Sequence, residues 1–284
     1  MHENYVIDGC KYFNPSKDYS DKDTYSEFQD KLIDFKIKLL SDISSKTSKT
    51  YYKFGDGDFY FLNKKPKGSA KPGIRALKKP YFMINHKKFV EGSKQNDVYM
   101  SLIPKIHSDM FQTYFKKTFD YPSEFVYGLI ANKWITKYTT KNIGIIGADV
   151  KLEIINGLIQ KQEYKEYLGI ENFSDYISIP QRFACDNLSR VNKSVIKQLE
   201  KSSSDLFLLG VGHVKSGMLH NLKEHSNAVF LDIGVGVDAL AGIVNLTRPY
   251  FGGWTNYQLK NQSIYSEVDF LVNKINNIKN IRLI

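Results

Sequence analysis

The feature that most constrains the fold is an alternation of strand-like and helix-like runs in the second half of the chain. Short apolar runs rich in Ile, Val, Leu and Phe are separated by longer amphipathic runs. Such alternation is typical of βαβ units, whose strands lie parallel in one sheet. We therefore predict an α/β fold with a Rossmann-like, mostly parallel sheet and flanking helices. The predicted order is strand 142–146, helix 149–168, strand 176–179, helix 187–200, strand 205–209, helix 213–225 and strand 228–233.

The first half of the chain has a different pattern. Thr24 and Glu27 form a capping box, and the apolar residues after them recur at helical spacing, so we predict a helix that starts near Thr24. A short strand is predicted at 51–54, and helices are predicted near 104–119 and over 124–136. The sequence thus predicts an N-terminal helical elaboration placed before the parallel sheet.

The chain is expected to form one domain. It has 284 residues and no clear linker or internal repeat. We assign 1–284 to a single domain, in which 1–140 carries an acidic turn and a basic loop and 141–284 forms the Rossmann-like half. A last helix is predicted over 264–278.

Composition limits the classes of function. The net charge of +10 favours anionic partners, namely nucleic acid, acidic lipid headgroups or phosphorylated small molecules. Two cysteines, Cys10 and Cys185, cannot build a disulfide framework or a CxxC metal site. The sequence starts without a signal-peptide pattern, and no apolar run approaches the length of a membrane span. The expected location is therefore the cytoplasm.

An acidic turn follows the short strand at 51–54. It reads Gly55-Asp56-Gly57-Asp58, with two carboxylates separated by one glycine. The glycines let the backbone bend so that both carboxylates can reach one ion, and hard oxygen ligands suit Mg²⁺ or Mn²⁺. Such an ion would stabilise a diphosphate leaving group. The same spacing also fits a plain Gly/Asp turn without a ligand.

A strongly basic stretch comes directly after the turn. Residues 59–90 contain nine Lys or Arg residues and no acid. This stretch could close over phosphates as a lid, or it could be a solvated loop. It also supports an alternative function, a nucleic-acid-binding module with steeply salt-dependent affinity. That alternative gives no reason for two carboxylates in front of the basic run.

The acidic turn resembles the signature of the GT-D-type glycosyltransferases, which were first catalogued as a domain of unknown function. Those enzymes carry a Gly-Asp-Gly-Glu turn after a helix and a short strand. The resemblance implies a metal-dependent enzyme in which Asp56 and Asp58 serve the metal and the nucleotide diphosphate. Asp58 stands where the family usually has Glu, so the side chain is one methylene shorter. The segments 208–210, 230–234 and 237–242 are similar to the second half of the same family.

A glycine turn in the second half is the predicted diphosphate site. Gly210 and Gly212 follow a strand, and His213, Lys215 and Ser216 would lie in the first turn of the next helix. Helix N-termini offer unpaired N–H groups and the positive end of the helix dipole to phosphates. A tight turn that needs glycine only for packing would look the same.

Two rival cofactor patterns overlap this region. Gly210 and Gly212 with Asp232 partly match a dinucleotide fingerprint, but Lys215 stands where the third glycine is required. The run 232–237 resembles the first motif of S-adenosylmethionine methyltransferases. Only 48 residues follow Gly236, too few for that fold in its usual order. Neither pattern accounts for the acidic turn.

The remaining candidates are single residues near predicted strand ends. Arg182 could meet a phosphate, Asp232 could contact a ribose, and Asp238 or His213 could act as the general base. The sequence thus predicts a glycosyltransferase that takes a sugar from a nucleotide diphosphate, with UDP-sugars as first candidates. It would use Mn²⁺ or Mg²⁺ and a glycan or glycoprotein acceptor, and no stable nucleic-acid partner is expected.

Overall fold

In the computed structural model, a seven-stranded sheet occupies the centre of the described part of the chain. All its neighbouring strands pair in parallel. The described residues are 5–7, 10–13, 28–55, 58–59, 62, 86–102, 105–131, 133–138, 140–181, 184–243, 257–268 and 281–284.

The sheet order is β5-β4-β3-β9-β8-β6-β7. From β3 the chain continues outward to β4 on one side, and from β6 it continues outward to β7 on the other. Strands β9 and β8 lie between β3 and β6, so the connections that leave β3 and β6 run in opposite directions away from them. In open α/β sheets, ligands bind at the carboxyl ends of the strands at such a point. The strands are β3 (Lys49–Phe54), β4 (Val98–Ser101), β5 (Tyr121–Pro122), β6 (Ile143–Ala148), β7 (Asp175–Ile179), β8 (Leu206–Gly210) and β9 (Val229–Asp232).

Buried side chains of each strand alternate between two apolar cores, one on each face of the sheet. In β3, Tyr51 belongs to the first core and Tyr52 and Phe54 to the second. In β8, Leu208 belongs to the first core and Leu209 to the second. Successive side chains of a strand point to opposite faces, and a sheet covered on both faces has apolar residues at nearly every position. This explains the continuous apolar runs in the sequence.

Helices cover both faces. The helices that pack on the first core are α1 (Phe28–Ser44), α4 (Phe125–Ala131), α5 (Asp149–Ile159), α6 (Gln162–Leu168) and α9 (Gly236–Leu240). The helices that pack on the second core are α2 (His86–Ser93), α3 (Lys105–Phe115), α7 (Leu188–Leu199) and α8 (Lys215–Leu222). The α/β class and the mostly parallel sheet that the sequence predicts are confirmed.

Several predicted bounds change. The helix predicted over 149–168 is two helices, because Lys161 has an extended backbone at φ −94° and ψ 126°. The helix predicted over 124–136 is α4 followed by a 3-10 turn at Trp134–Tyr138. Three strands of the sheet, β3 to β5, come from the first half of the chain, and the sequence pattern identified only the first of them.

Smaller elements lie outside the sheet. The strands β1 (Tyr5–Ile7) and β2 (Cys10–Phe13) form an antiparallel pair, and β10 (Tyr257–Gln258) pairs in parallel with β11 (Arg282–Leu283). Of the helix predicted over 264–278, the structure describes only residues 264–268. Residues 264–267 belong to a 3-10 turn, Gln262–Glu267. The Thr24 capping box falls outside the described residues. No helix in the described ranges has the length and apolar character needed to cross a membrane.

Candidate functional site

Three neighbouring strands bring two carboxylates and one lysine together at the carboxyl edge of the sheet. Asp58 lies four residues after the end of β3, Asp232 is the last residue of β9, and Lys215 is the first residue of α8, which follows β8. Because β3, β9 and β8 are adjacent in the sheet, three segments distant in sequence meet at one point.

Lys215 is held by three oxygen atoms. Its Nζ lies 2.9 Å from Oδ2 of Asp58 and 2.7 Å from Oδ2 of Asp232. It also donates to the backbone carbonyl of Lys53. The side chains of Lys215, Asp58 and Asp232 are only 8%, 7% and 1% exposed. This group of three residues is called the buried triad below.

Backbone and hydroxyl donors fix the two carboxylates. Oδ2 of Asp58 accepts from the N–H of Gly55 at 2.9 Å, and its Oδ1 accepts from the Tyr52 hydroxyl at 3.3 Å. Oδ2 of Asp232 accepts from the N–H of Lys53 at 3.2 Å, and its Oδ1 accepts from the N–H of Gly234 at 2.9 Å. Charge-assisted hydrogen bonds of this kind offset part of the cost of burying a carboxylate.

The Tyr52 hydroxyl connects the triad to α8. It lies 2.9 Å from Oγ of Ser216, and the ammonium of Lys215 lies 4.8 Å from the centre of the Tyr52 ring. Burial raises the pKa of Tyr52 well above its usual value, and the nearby Asp58 raises it further. Tyr52 is therefore a neutral hydrogen-bond donor, which suits its contact with a carboxylate.

The charge state of Lys215 follows from two opposing effects. Burial alone would lower the pKa of Lys215, but Asp232 and Asp58 beside it raise the pKa above its ordinary value. Lys215 is thus an ammonium at neutral pH. Removing one partner of a buried ion pair typically costs about 3–5 kcal/mol, because a charge is left unpaired.

The two glycines of the predicted diphosphate turn have different surroundings. A Cβ at Gly210 would lie 2.4 Å from Cγ2 of Val237 and 2.7 Å from the carbonyl oxygen of Gly234, so this glycine is required for packing. Gly212 has a φ of +57°, and a Cβ there would meet no atom of the described residues within 4 Å. Among the described residues, the space in front of Gly212 is therefore open, at the start of the 3-10 turn Gly212–Val214 that leads into α8.

The equivalent turn after β9 is filled. A Cβ at Gly234 would lie 3.3 Å from Nζ of Lys53 and 3.9 Å from Oδ1 of Asp232. A Cβ at Gly236 would lie 2.9 Å from the side chain of Ile233. This turn is occupied by the protein's own side chains, whereas the turn at Gly212 faces open space.

The end of the basic stretch is anchored beside the triad. Helix α2 contains the last residues of that stretch and packs against α8 at very close range. A Cβ at Gly92 would lie 2.6 Å from the carbonyl oxygen of Ser216 and 2.3 Å from the ring of His220. The basic stretch thus starts next to Asp58 and ends against the helix that carries Lys215.

Some predicted site residues are not part of this group. Asp238 lies in α9 and forms an ion pair with Lys151, with its side chain 23% exposed. His213 is half-buried in the 3-10 turn before α8. Asp56, Gly57 and Arg182 lie outside the described residues, so their predicted roles stay predictions.

The divalent ion that the sequence predicts would need several oxygen ligands from the protein or from phosphates. The described residues contain no group of three His, Cys, Asp or Glu side chains able to hold a metal. Of the two predicted ligands only Asp58 is described, and its Oδ2 already accepts from an ammonium and a backbone N–H. In this arrangement Asp58 does not fit direct coordination of a divalent ion.

Sequence reasoning missed Tyr52 and Lys53. Both lie in β3, where an aromatic hydroxyl and a lysine amine are buried among apolar neighbours. Their position directly before an acidic turn was the available signal, because a buried polar side chain at a strand end needs a polar partner. Asp232 and Lys215 were predicted as separate ligand contacts, but they bind each other.

Comparisons with known proteins give one structural likeness. No protein-family model matches the chain, and no curated protein matches it significantly. A solved structure described as a new glycosyltransferase (DUF1792) from Streptococcus sanguinis is similar over 81% of this chain and 94% of that chain. Its sequence identity is 13% and its TM-score 0.43. Because the sequence identity and the TM-score are this low, the likeness does not establish an activity for this chain.

Proposed function

We propose that the protein is a glycosyltransferase that takes a sugar from a nucleotide diphosphate and transfers it to a glycan or glycoprotein acceptor. The observation that carries this proposal is the buried triad at the carboxyl edge of the sheet, next to the open turn at Gly212. The proposal agrees with the sequence resemblance of the Asp58 turn to the GT-D-type enzymes.

The diphosphate would lie over the turn from Gly210 to Ser216. Backbone N–H groups at the start of α8 point toward this edge, and the positive end of a helix dipole favours an anion there. The absence of a side chain at Gly212 lets a phosphate approach the backbone closely. Asp58 and Lys215 would lie at the inner side of the same site.

The sugar and its acceptor would then be held above the strand ends. Transfer requires a base for the acceptor hydroxyl, and Asp238 and His213 remain the proposed candidates. Asp238 is ion-paired with Lys151, so the pair would have to open for Asp238 to take a proton. His213 lies in the 3-10 turn that leads into α8, beside the proposed diphosphate site.

The Mn²⁺ or Mg²⁺ ion remains a proposal from the sequence. Asp56 would have to contribute most of the protein's coordination, since Asp58 is engaged with Lys215. UDP-sugars remain the first donors to test.

The rival functions receive less support. A methyltransferase site would use the turn after β9, but Lys53 and Ile233 fill the space at Gly234 and Gly236. A dinucleotide site would use the turn after β8 and would need a third glycine at 215, where Lys215 is buried between two carboxylates. A nucleic-acid-binding module would use the basic stretch, most of which lies outside the described residues. It would gain nothing from a buried group of two carboxylates and a lysine.

The proposal is tested by incubating the protein with a panel of UDP-, GDP- and CDP-sugars and measuring release of the nucleoside diphosphate, with and without a mixture of glycan acceptors. One donor should be turned over by the wild type. Asp58→Asn should lose most of that turnover, because it removes one charge from the triad with little change in shape.

Asp97→Asn is the matched control for this experiment. Asp97 is also an ion-paired aspartate, with Nζ of Lys223 at 3.0 Å, but it lies at the opposite, amino edge of the sheet. Its turnover should equal that of the wild type. The proposal fails if no donor is turned over, or if both variants lose turnover equally.

A further inference from the structure

We infer that the ammonium of Lys215 is the cation of this site, so that the nucleoside diphosphate of the donor binds without a divalent ion. The inference rests on the proposed function, because it concerns how that donor is bound. It differs from what the Asp56 and Asp58 turn predicts, which is a metal at the same place.

Oxygen atoms surround the ammonium of Lys215 as they would surround a metal ion. Nζ of Lys215 is held by a carboxylate oxygen of Asp58, a carboxylate oxygen of Asp232 and the carbonyl oxygen of Lys53. Two carboxylates and a backbone carbonyl are hard oxygen ligands of the kind that bind Mg²⁺ or Ca²⁺ in proteins. Here the three converge on a nitrogen, which occupies the position a metal would take.

The ammonium of Lys215 already occupies Oδ2 of Asp58. A divalent ion bound to Oδ2 would lie about 2.0–2.6 Å from that oxygen. The ammonium already lies 2.9 Å from the same oxygen. Two cations on one carboxylate oxygen repel each other strongly in a site that is almost closed to water. A metal could bind there only after Lys215 had moved away.

The charges of the group are partly offset from within the protein. Asp58 and Asp232 bring two negative charges, which would repel a diphosphate if nothing balanced them. Lys215 cancels one of them, and three backbone N–H groups, those of Gly55, Lys53 and Gly234, donate to the carboxylate oxygens. An anion can therefore approach without an added ion.

Sugar transfer breaks one bond at the anomeric carbon and forms another. The bond between the anomeric carbon and the diphosphate oxygen breaks, and its electron pair leaves with the nucleoside diphosphate. The acceptor oxygen forms the new bond to that carbon and gives its proton to the base. The charge that develops on the departing diphosphate is stabilised by the N–H groups of the Gly212 turn. The ammonium donates its three N–H groups to protein oxygens and offsets the two carboxylates behind this turn.

The experiment is a calorimetric titration of UDP, GDP and CDP into the wild-type protein, first in EDTA and then in Mn²⁺. We expect one of them to bind with equal affinity, within about twofold, in both conditions. Lys215→Ala should bind it about a hundredfold more weakly in EDTA, because two carboxylates without their cation then lie behind the diphosphate site and repel the anion. Lys223→Ala is the control, because Lys223 is also paired with an aspartate but at the opposite edge.

A second readout separates a cation role from a purely structural one. Lys215→Ala leaves two carboxylates facing each other without a cation. This variant should therefore bind Mn²⁺, measured by electron paramagnetic resonance without nucleotide, and Mn²⁺ should restore part of its nucleotide affinity. The wild type should bind no Mn²⁺ under the same conditions.

The outcomes are distinguishable. If the wild type binds a nucleoside diphosphate only with Mn²⁺, the inference about Lys215 is overturned while the proposed function stands. If none of the three nucleotides binds in either condition, the proposed function fails and the inference fails with it. The wild-type comparison alone decides between these outcomes, so the test does not depend on the variant being folded.

Discussion

The contact between α2 and α8 makes a sharp prediction about stability. Gly92 is the next-to-last residue of α2, and a Cβ there would lie 2.6 Å from the carbonyl oxygen of Ser216. Ordinary contact begins at 3.4 Å, so Gly92→Ala requires the two helices to separate by about 0.8 Å at this point. The obstacle is backbone, which cannot rotate away as a side chain could.

Two opposing effects set the magnitude. Alanine in a helix is favoured over glycine by about 0.5–1 kcal/mol, and less than this near a helix end. Overpacking in a tight interface typically costs about 1–3 kcal/mol. The steric cost is the larger, so Gly92→Ala should lower the free energy of unfolding by about 1–2 kcal/mol.

The assay is urea unfolding followed by circular dichroism. The matched control is Gly157→Ala in α5, where a Cβ would lie 3.0 Å from the end of the flexible Leu259 side chain, which can move. That variant should unfold within about 0.5 kcal/mol of the wild type. If Gly92→Ala is as stable as the wild type or more stable, the close approach of α2 and α8 is refuted.

Three further predictions concern the glycine turn and the amino edge of the sheet. Gly210→Ala should lower the melting temperature, because its Cβ would lie 2.4 Å from Val237; an unchanged value would contradict the packing role. Gly212→Ala should lower the free energy of unfolding by only about 1 kcal/mol, yet it should weaken UDP binding. An unchanged affinity for UDP in calorimetry would show that no ligand lies over this turn. Burial tends to raise the pKa of Asp97, but hydrogen bonds, the largest from Lys223, lower it overall. The Asp97 carboxylate should therefore stabilise the fold fully above a pH of about 4 and progressively less below it. The difference in unfolding free energy between wild type and Asp97→Asn should accordingly shrink from pH 7 to pH 3. A difference that stays constant would contradict the lowered pKa.

The fold of the second half could be predicted because its strands are apolar on both faces and its helices are amphipathic. The strands β6 to β9 and the helices between them follow directly from that pattern. The strands β4 and β5 could not be predicted in the same way, because they have only four and two residues. Their pairing depends on β3, which lies far from them in sequence.

The site could be predicted only in part. The turn at Asp58 and the turn at Gly212 were identified from glycine and acid spacing, and the structure places both at the same edge of the sheet. The contact between Asp58, Lys215 and Asp232 could not be predicted, because it depends on β9 inserting between β3 and β8. Spacing along the chain holds no information about such an insertion.

The most direct test of the central claim is binding of nucleotides by the wild-type protein and by Asp58→Asn. The titration would compare UDP, GDP and CDP with NAD and S-adenosylmethionine by calorimetry. We predict that one nucleoside diphosphate binds the wild type, that Asp58→Asn weakens it, and that NAD and S-adenosylmethionine do not bind. Binding of either cofactor in place of every nucleoside diphosphate would contradict the account of this protein as a glycosyltransferase.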